Sequence, residues 1–464
     1  MAFLGIDLGT GGVRCALVEE KGAILAEVSK PIDRQNLSLE VGKSEQDPLD
    51  WTRSLEAAFD ELFAFPSNRN VHAIAVDSTS GTILPVSRAG KVLGPALMHN
   101  DMRAVQEAES CNELFGGTCS PTFSLPKILW MQGNCKLPDD CLFLHATDFL
   151  NAWLAGTMAI PTDFTNAMKT GVDLEAETWS KSSLIPFFQL PPVVRPGKII
   201  GDLETSKSKR WGLPKKVVLV AGSTDSNAAF FASGASQKGD WSSTIGSTLA
   251  IKGVSSKKLS DSEGRIYEHK HPDGFWLPGG ASNAGGEIIR THFSGREPQM
   301  ESKARSIPIG SSQVYPSTRT GERLPFTSSS FRPFLSPKEL SGPKLYRGCL
   351  EGIAFIEAMT FSLLRSLGGE VGEKIYATGG MTKSSLGMQI RANILQKCIL
   401  VPSHPHSAMG SAILAASGFH KHSVGQISES MVSIGKRVYP VDDGDHSYKE
   451  SFLKFRSLCN KQLT

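Results

Sequence analysis

The stretch FLGIDLGTGGVRCALV, residues 3–18, decides the fold, because it predicts two strands joined by a tight, glycine-rich turn. Gly11 and Gly12 lie in that turn, and without a Cβ they allow backbone N–H groups to close on a phosphate. The Thr10 hydroxyl adds a donor, and Arg14 adds a positive charge just after the turn. The stretch therefore predicts a phosphate-binding hairpin, with an ordinary hairpin as the alternative.

Asp7 ends the first of these two strands. A carboxylate beside a phosphate repels it unless a cation lies between them, and Mg²⁺ is the cation that usually accompanies a nucleotide. Asp7 is therefore predicted to hold Mg²⁺. In the ordinary-hairpin alternative it only caps the turn.

Two related stretches follow about half a chain later. Residues 217–229, VVLVAGSTDSNAA, predict a buried strand, a turn and the start of a helix, and residues 241–253, WSSTIGSTLAIKG, predict a second hairpin. Turns from a strand into a helix direct N–H groups and partial positive charge at anions. Asp225 lies in the first of these turns, where it is either a helix N-cap or a catalytic base, and the two roles are compatible.

Five segments together resemble a known family. In chain order they read GIDLGTGGVR, AGSTDSNAA, IGSTLAI, GGASNAGG and ATGGMTKSS, and their order and spacing are similar to those of the FGGY family of carbohydrate kinases. The resemblance extends from Phe3 to about Gly418. Within the family, the chain is most similar to a branch of photosynthetic organisms that phosphorylates ribulose and is related to the xylulose kinases.

The resemblance implies an α/β fold of two ribonuclease-H-like (actin-like ATPase) domains around a central cleft. It implies ATP and Mg²⁺ as cofactors and an open-chain sugar as substrate. Residues 1–225 would form the N-terminal, sugar-binding domain, on which a helix near 408–418 packs, and residues 226–405 the C-terminal, nucleotide-binding domain. Residues 419–464 would be a C-terminal extension.

The resemblance also assigns nucleotide-binding residues in both halves of the chain. In the second half, turn residues would contact the phosphates, and glycines would let the nucleotide lie close to the backbone. The assigned residues, with those of the first turn, are Thr10, Gly11, Gly12, Arg14, Gly246, Ser247, Gly285, Gly379, Gly380 and Ser384. The chain departs from the family pattern at Met381, in place of a glycine, and at Gly387, in place of an aromatic residue. These departures concern nucleotide affinity more than the chemistry.

Sugar-binding residues are assigned in the same way: Asp7, Ser80, Asp101 and Asp225. Ser80 lies in DSTSGT, residues 77–82, after a predicted strand, and the alternative there is a plain turn rich in Ser and Thr. Asp101 belongs to HNDMR, where the alternative is a helix N-terminus capped by the Asn or the Asp.

Composition excludes several classes of function. Lys and Arg number 49 against 46 for Asp and Glu, so the basic excess expected of a nucleic-acid-binding protein is missing. No apolar run is long enough to span a bilayer, and a strand rather than a signal peptide is predicted at the start. We therefore expect no nucleic-acid or membrane partner, a monomer or weak homodimer, and a soluble intracellular protein, in the plastid stroma by resemblance or otherwise in the cytoplasm.

The eight cysteines form no CxxC pair, which predicts free thiols. Residues 295–344, dense in Ser, Pro and Arg, predict long surface loops.

Three functions remain open. The first is an ATP-dependent kinase in which Asp225 accepts the proton of a terminal sugar hydroxyl, with slow ATP hydrolysis when sugar is absent. The resemblance implies conversion of D-ribulose to D-ribulose 5-phosphate, with D-xylulose second and glycerol third. The alternatives are a chaperone- or filament-like ATPase of the same fold, and a catalytically weak nucleotide-binding relative with a regulatory role.

Overall fold

The computed structural model describes residues 1–33, 36–38, 40–115, 117, 119–180, 184–441 and 447–463. The chain divides into two compact units. Unit 1 comprises Met1–Ala232 and Pro405–Met431, and unit 2 comprises Ser233–His404 and Val432–Thr464. The chain thus first leaves unit 1 after Ala232, seven residues beyond the boundary that we expected at Asp225.

The helices of the described chain, in order, are α1 (Pro48–Leu62), α2 (Val105–Phe115), α3 (Ser124–Asn134), α4 (Ala146–Ala155), α5 (Phe164–Ala167), α6 (Thr205–Arg210), α7 (Asp225–Phe231), α8 (Glu287–Phe293), α9 (Glu297–Ala304), α10 (Gly342–Ser366), α11 (Ser385–Leu395), α12 (Ser407–His420), α13 (Val424–Met431) and α14 (Ser447–Leu463). Short 3₁₀ turns lie at Pro66–Arg69, Met168–Thr170, Phe187–Gln189 and Gly380–Lys383.

The strands, in order, are β1 (Ala2–Leu8), β2 (Gly12–Glu19), β3 (Ile24–Pro31), β4 (Glu45–Gln46), β5 (Val71–Ser78), β6 (Ile83–Val86), β7 (Ala96–Leu97), β8 (Leu142–His145), β9 (Thr162–Asp163), β10 (Val172–Asp173), β11 (Thr178–Trp179), β12 (Val193–Val194), β13 (Ile199–Asp202), β14 (Val218–Thr224), β15 (Trp241–Ile245), β16 (Leu249–Gly253), β17 (Tyr267–Lys270), β18 (Trp276–Ala281), β19 (Gln313–Val314), β20 (Leu335–Ser336), β21 (Lys374–Thr378), β22 (Cys398–Pro402) and β23 (Ile434–Val438).

Unit 1 is built on a six-stranded sheet with strand order β13-β14-β5-β1-β2-β3. Strands β1, β2 and β3 form an antiparallel meander, and the opening stretch of the sequence predicts its first hairpin, whereas β5 runs parallel to β1 and β14 runs parallel to β5. Because parallel strands end at the same edge of a sheet, the carboxyl ends of β1, β5 and β14 meet there. Asp7 is the register partner of Asp77 on β5, which in turn pairs with Ser223 on β14.

Helices cover both faces of this sheet. Leu4 and Ile6 on β1 join a core cluster with Trp51 of α1, while the opposite face of the strand meets α12. Gly5 is required at that contact, since a Cβ there would lie 1.7 Å from the carbonyl oxygen of Ala408. The small residues of α12 thus bring its backbone against the sheet.

Unit 2 repeats this arrangement in a seven-stranded sheet of order β17-β18-β16-β15-β21-β22-β23. Strands β15 and β16 form a hairpin, and β21 and β22 continue the sheet in parallel with β15. The long helix α10 buries a broad apolar face in the core of the unit.

One expectation about unit 2 differs from the structure. Residues 295–344 do not form surface loops only: they contain α9, and Tyr315 and Phe331 are 1% exposed within the core. Residues 419–464, the expected C-terminal extension, divide between the two units: α13 belongs to unit 1, and β23 and α14 belong to unit 2, where Phe455 of α14 is fully buried. Residues 442–446 and 464 lie outside the described residues.

Candidate active site

Three aspartates lie together in unit 1, where β1, β5 and β14 end. Asp7 ends its strand half-buried, Asp77 is fully buried, and Asp225 is the first residue of α7. Burial raises the pKa of Asp7; the charge of Asp225 adds to the rise, whereas a hydrogen bond with Asp77 and the charge of Arg14 oppose it. Burial, followed by the charge of Asp7, raises the pKa of Asp77 well above its ordinary value. The three groups therefore share one electrostatic environment.

Asp77 was not among the residues predicted from the sequence. Its Oδ2 accepts a 2.6 Å hydrogen bond from the Ser411 hydroxyl of α12, and its Oδ1 has no donor among the described residues. Ionised carboxylates cannot donate to each other, so the contact between Asp7 and Asp77 needs either a shared proton or a cation. Carboxylate oxygens are suitable Mg²⁺ ligands, and the residues present fit that ion. Among the described residues, no set of three His, Cys, Asp or Glu side chains forms a complete metal site.

Asp225 is held in place by its neighbours. The N-cap of α7 is Thr224, whereas the alternative reading of the sequence made Asp225 the N-cap. The Thr224 N–H donates to the buried Thr165 hydroxyl at 3.0 Å, and the Asp225 carbonyl accepts from the Ser407 hydroxyl at 3.2 Å. The Asp225 Oδ1 accepts from the N–H of Ser226 at 2.6 Å. The residue is half-exposed, so part of its surface is open to a ligand.

The turn that carries Ser80 is held by two lysines that sequence reasoning did not single out. Lys169 donates to the Ser80 carbonyl at 3.0 Å, and Lys127 donates at 3.0 Å to the carbonyl of Gly81. Gly81 has φ +96°, a conformation that favours glycine. Burial lowers the pKa of Lys127 to about 7. Lys127 lies in an apolar helical stretch, where no local pattern indicates its role.

The structure gives Asp101 a different role from the predicted sugar contact. Its fully buried carboxylate accepts from the N–H of Ser44 at 2.7 Å and from the backbone and guanidinium of Arg103 at 2.8–3.1 Å. These four donors use the acceptor capacity of the group, so Asp101 fixes the loop instead of facing a sugar. The capping alternative is also not seen, because the next helix, α2, begins at Val105.

The first glycine turn closes as predicted, with the Gly9 N–H donating to the Gly12 carbonyl at 3.0 Å. Thr10, Gly11 and Arg14 are exposed. Close packing also requires a glycine at residue 12, since a Cβ at Gly12 would lie 2.5 Å from the carbonyl oxygen of Lys30 on β3.

Unit 2 contains a cavity of about 1000 Å³. Four predicted nucleotide-binding residues line it: Gly246, Ser247, Gly380 and Ser384. The other two residues assigned in this half of the chain are Gly285 and Gly379. Both lie against backbone of the same turns, since a Cβ at Gly285 would lie 2.5 Å from Thr248 Cα and a Cβ at Gly379 would lie 2.5 Å from the Ile245 carbonyl oxygen.

The two departures from the family pattern, Met381 and Gly387, lie next to each other. Met381 lines the wall of the cavity, and a Cβ at Gly387 would lie 3.2 Å from its sulfur. The Gly387 N–H donates at 2.9 Å to Ser384, the N-cap of α11. The thioether thus occupies space next to the missing side chain, which only the folded structure reveals.

Comparison with known families settles the class of the protein. The FGGY family of carbohydrate kinases matches over both halves, its N-terminal domain at residues 2–232 and its C-terminal domain at residues 243–419. The chain belongs to the FGGY family of carbohydrate kinases. It is therefore an ATP-dependent sugar kinase, and the family prediction is confirmed.

Curated relatives of this FGGY kinase cover nearly its whole length. A xylulose kinase of Bacillus subtilis is 27% identical over 98% of this chain and 96% of its own, and a gluconokinase of the same species is 22% identical over 100% and 97%. Among solved structures, a xylulose kinase from Rhodospirillum rubrum has a TM-score of 0.85 at 22% identity and covers 99% of both chains. A glycerol kinase from Plasmodium falciparum has a TM-score of 0.86 at 17% identity, covering 100% and 98%. The predicted two-unit α/β fold is confirmed.

Further findings concern the whole kinase. All eight cysteines are free, as predicted. Within the described part of the chain, no helix has the combination of length and apolar character that crossing a membrane requires.

Proposed function

We propose that this kinase phosphorylates the terminal hydroxyl of a ketopentose, with Asp225 as the general base. The observation that supports this most directly is the position of Asp225 at the end of β14: it is half-exposed, and the preceding Thr224 pairs with Ser78 of β5, just before the lysine-held Ser80 turn. A carboxylate in this position accepts the hydroxyl proton as the oxygen attacks phosphorus.

The contacts of Asp225 support this role. Its own backbone is fixed by Ser407 and, through Thr224, by Thr165. Positioning of the base matters because most of the rate enhancement in phosphoryl transfer comes from placement and charge neutralisation. We propose Ser80, on its rigid turn, as a sugar contact.

Asp7 and Asp77 are the proposed holders of Mg²⁺. Their adjacent carboxylates and the Asp77 Oδ1 without a donor fit a divalent cation. When bound with a nucleotide, Mg²⁺ neutralises charge on the phosphates. The exposed turn residues Thr10 and Gly11, together with Arg14, are proposed to contact phosphate.

ATP is proposed to bind the cavity of unit 2. Its volume suits a nucleotide, and its walls combine backbone at Gly246 and Gly380 with the hydroxyls of Ser247 and Ser384. We further propose slow hydrolysis of ATP without sugar, because a base that orients a hydroxyl also orients a water molecule.

The preferred ketopentose is D-ribulose, by the sequence resemblance. D-xylulose is the second candidate, because several relatives of 24–27% identity carry the name xylulose kinase. The two sugars differ in the configuration of one hydroxyl, so discrimination depends on which polar group of the pocket loses its partner.

A coupled ADP-release assay tests the proposal. The panel contains D-ribulose, D-xylulose, glycerol, gluconate and a sugar-free control, and kcat/KM is the quantity compared. We expect the highest value for D-ribulose and a low rate without sugar. A preference for glycerol or gluconate would contradict the ketopentose assignment, and an equal, slow rate for every compound would favour the catalytically weak relative.

A further inference from the structure

Lys169 has an unusual position for a lysine. It belongs to the 3₁₀ turn Met168–Thr170, directly after α5, and its side chain is half-buried in unit 1. Its Nζ donates to the Ser80 carbonyl at 3.0 Å and lies 5.6 Å from the centre of the Phe123 ring. The ammonium group therefore lies beside the turn that we propose as a sugar contact.

The charge of Lys169 is only partly compensated. Burial lowers its pKa, and the carboxylate of Asp225 is the group that opposes this effect. Among the described residues, no carboxylate lies within ion-pair distance of Nζ. The hydrogen bond to the Ser80 carbonyl uses one of the three N–H donors of the ammonium group. A half-buried ammonium with free donors gains from an additional oxygen acceptor.

The side chain is also held in one place. A Cβ at Gly81 would lie 3.1 Å from its Cδ, so the aliphatic stem packs directly on that glycine. The next residue, Thr170, is buried and hydrogen-bonds to Nε2 of His145 at 2.9 Å. The ammonium group is thus oriented before any ligand arrives, which lowers the entropy cost of binding.

We propose that Lys169 is a sugar-binding residue, whose ammonium group donates a hydrogen bond to a hydroxyl or carbonyl oxygen of the open-chain substrate. The inference rests on the proposed function and adds a recognition group to the proposed sugar site. It also concerns specificity, because a substrate without that oxygen leaves the ammonium group unpaired.

The test compares Lys169→Met, which keeps an unbranched apolar stem of similar length and removes the ammonium group, with Lys207→Met. Lys207 is a matched control in unit 1: it also lies over an aromatic ring, Trp153 at 4.8 Å, but it already has a carboxylate partner in the partly exposed Glu204. For Lys169→Met we expect the KM for the best sugar to rise about 10- to 100-fold, the loss expected for a charged hydrogen bond. The KM for ATP should stay within about twofold of wild type. Lys207→Met should change neither constant.

Calorimetric titration with D-ribulose and with D-xylulose separates the two proposals. Sugar binding by the wild type without turnover would refute the proposed function, while the comparison of dissociation constants would still test Lys169. A sugar Kd in Lys169→Met equal to that of the wild type would overturn the Lys169 proposal. Should that variant fail to fold, Lys169→Arg serves instead, because it keeps the charge and moves the donors. An unchanged sugar KM in Lys169→Arg would also count against the proposal.

Discussion

Asp225 is the residue on which the proposed chemistry depends. We expect Asp225→Asn to lower kcat by about 10²- to 10⁴-fold, because the amide cannot accept the hydroxyl proton. Steady-state ADP release measures kcat, and equilibrium binding of a non-hydrolysable ATP analogue measures nucleotide affinity, which should change by less than about twofold. Near-normal turnover would mean that Asp225 only supports the start of α7.

Glu268 gives a prediction for stability at the same scale. It lies on β17 with Oε1 accepting from the Leu259 N–H at 2.9 Å and Oε2 without a donor among the described residues, and burial raises its pKa to about 7. A carboxyl group whose pKa is raised by folding stabilises the protein fully below its unfolded value, near 4.5, and this stabilisation is lost as the pH rises to about 7.

Glu268→Gln should therefore raise the free energy of unfolding more at pH 8 than at pH 4.5. Since the residue is partly exposed, solvent screening limits the difference to about 1–2 kcal/mol. Chemical denaturation at the two pH values measures it. Glu263→Gln is the control, because Glu263 is an exposed partner of Arg265; an equal pH effect in both variants would refute the assignment.

At the scale of elements, the contact between β1 and α12 leaves no room for a side chain. In Gly5→Ala the new Cβ would lie 1.7 Å from the Ala408 carbonyl oxygen, a backbone atom that cannot rotate away. We expect a destabilisation of about 1–3 kcal/mol or more, as for other overpacked cores.

Gly133→Ala is the matched control for this variant. Gly133 lies in α3 with nothing within 4 Å of an added Cβ, and alanine there should stabilise the helix by about 0.5–1 kcal/mol. Thermal unfolding of the two variants measures both effects. An unchanged midpoint for Gly5→Ala would show that α12 does not pack on β1 in this way.

At the scale of the whole molecule, each proposed ligand should slow amide hydrogen exchange in the unit that we propose binds it. D-ribulose should slow amide hydrogen exchange at residues 79–82 and 225–226 of unit 1, and ADP should slow it at residues 246–247 and 380–387 of unit 2. Exchange followed by mass spectrometry measures both. Protection of residues 79–82 by ADP alone, with no effect of sugar, would contradict the assignment of the Ser80 turn to the sugar.

The sequence by itself determined the local elements and the family. The hairpin of β1 and β2 and the strand before Asp225 are confirmed because side-chain alternation and glycine turns are encoded by neighbouring residues. Five short segments in the right order were enough to indicate the FGGY family, which the matches to both domains confirm.

Only the tertiary structure decided how the polar groups are paired. Lys169 and Ser80 are 89 residues apart, and Asp77 and Ser411 are 334 residues apart, so no local pattern connects them. The same reason explains Asp101, which resembles a sugar ligand in sequence but is satisfied in the fold by Ser44, 57 residues away. A carboxylate or ammonium group acquires its role from the donors and acceptors that folding brings to it, and those contacts are long-range.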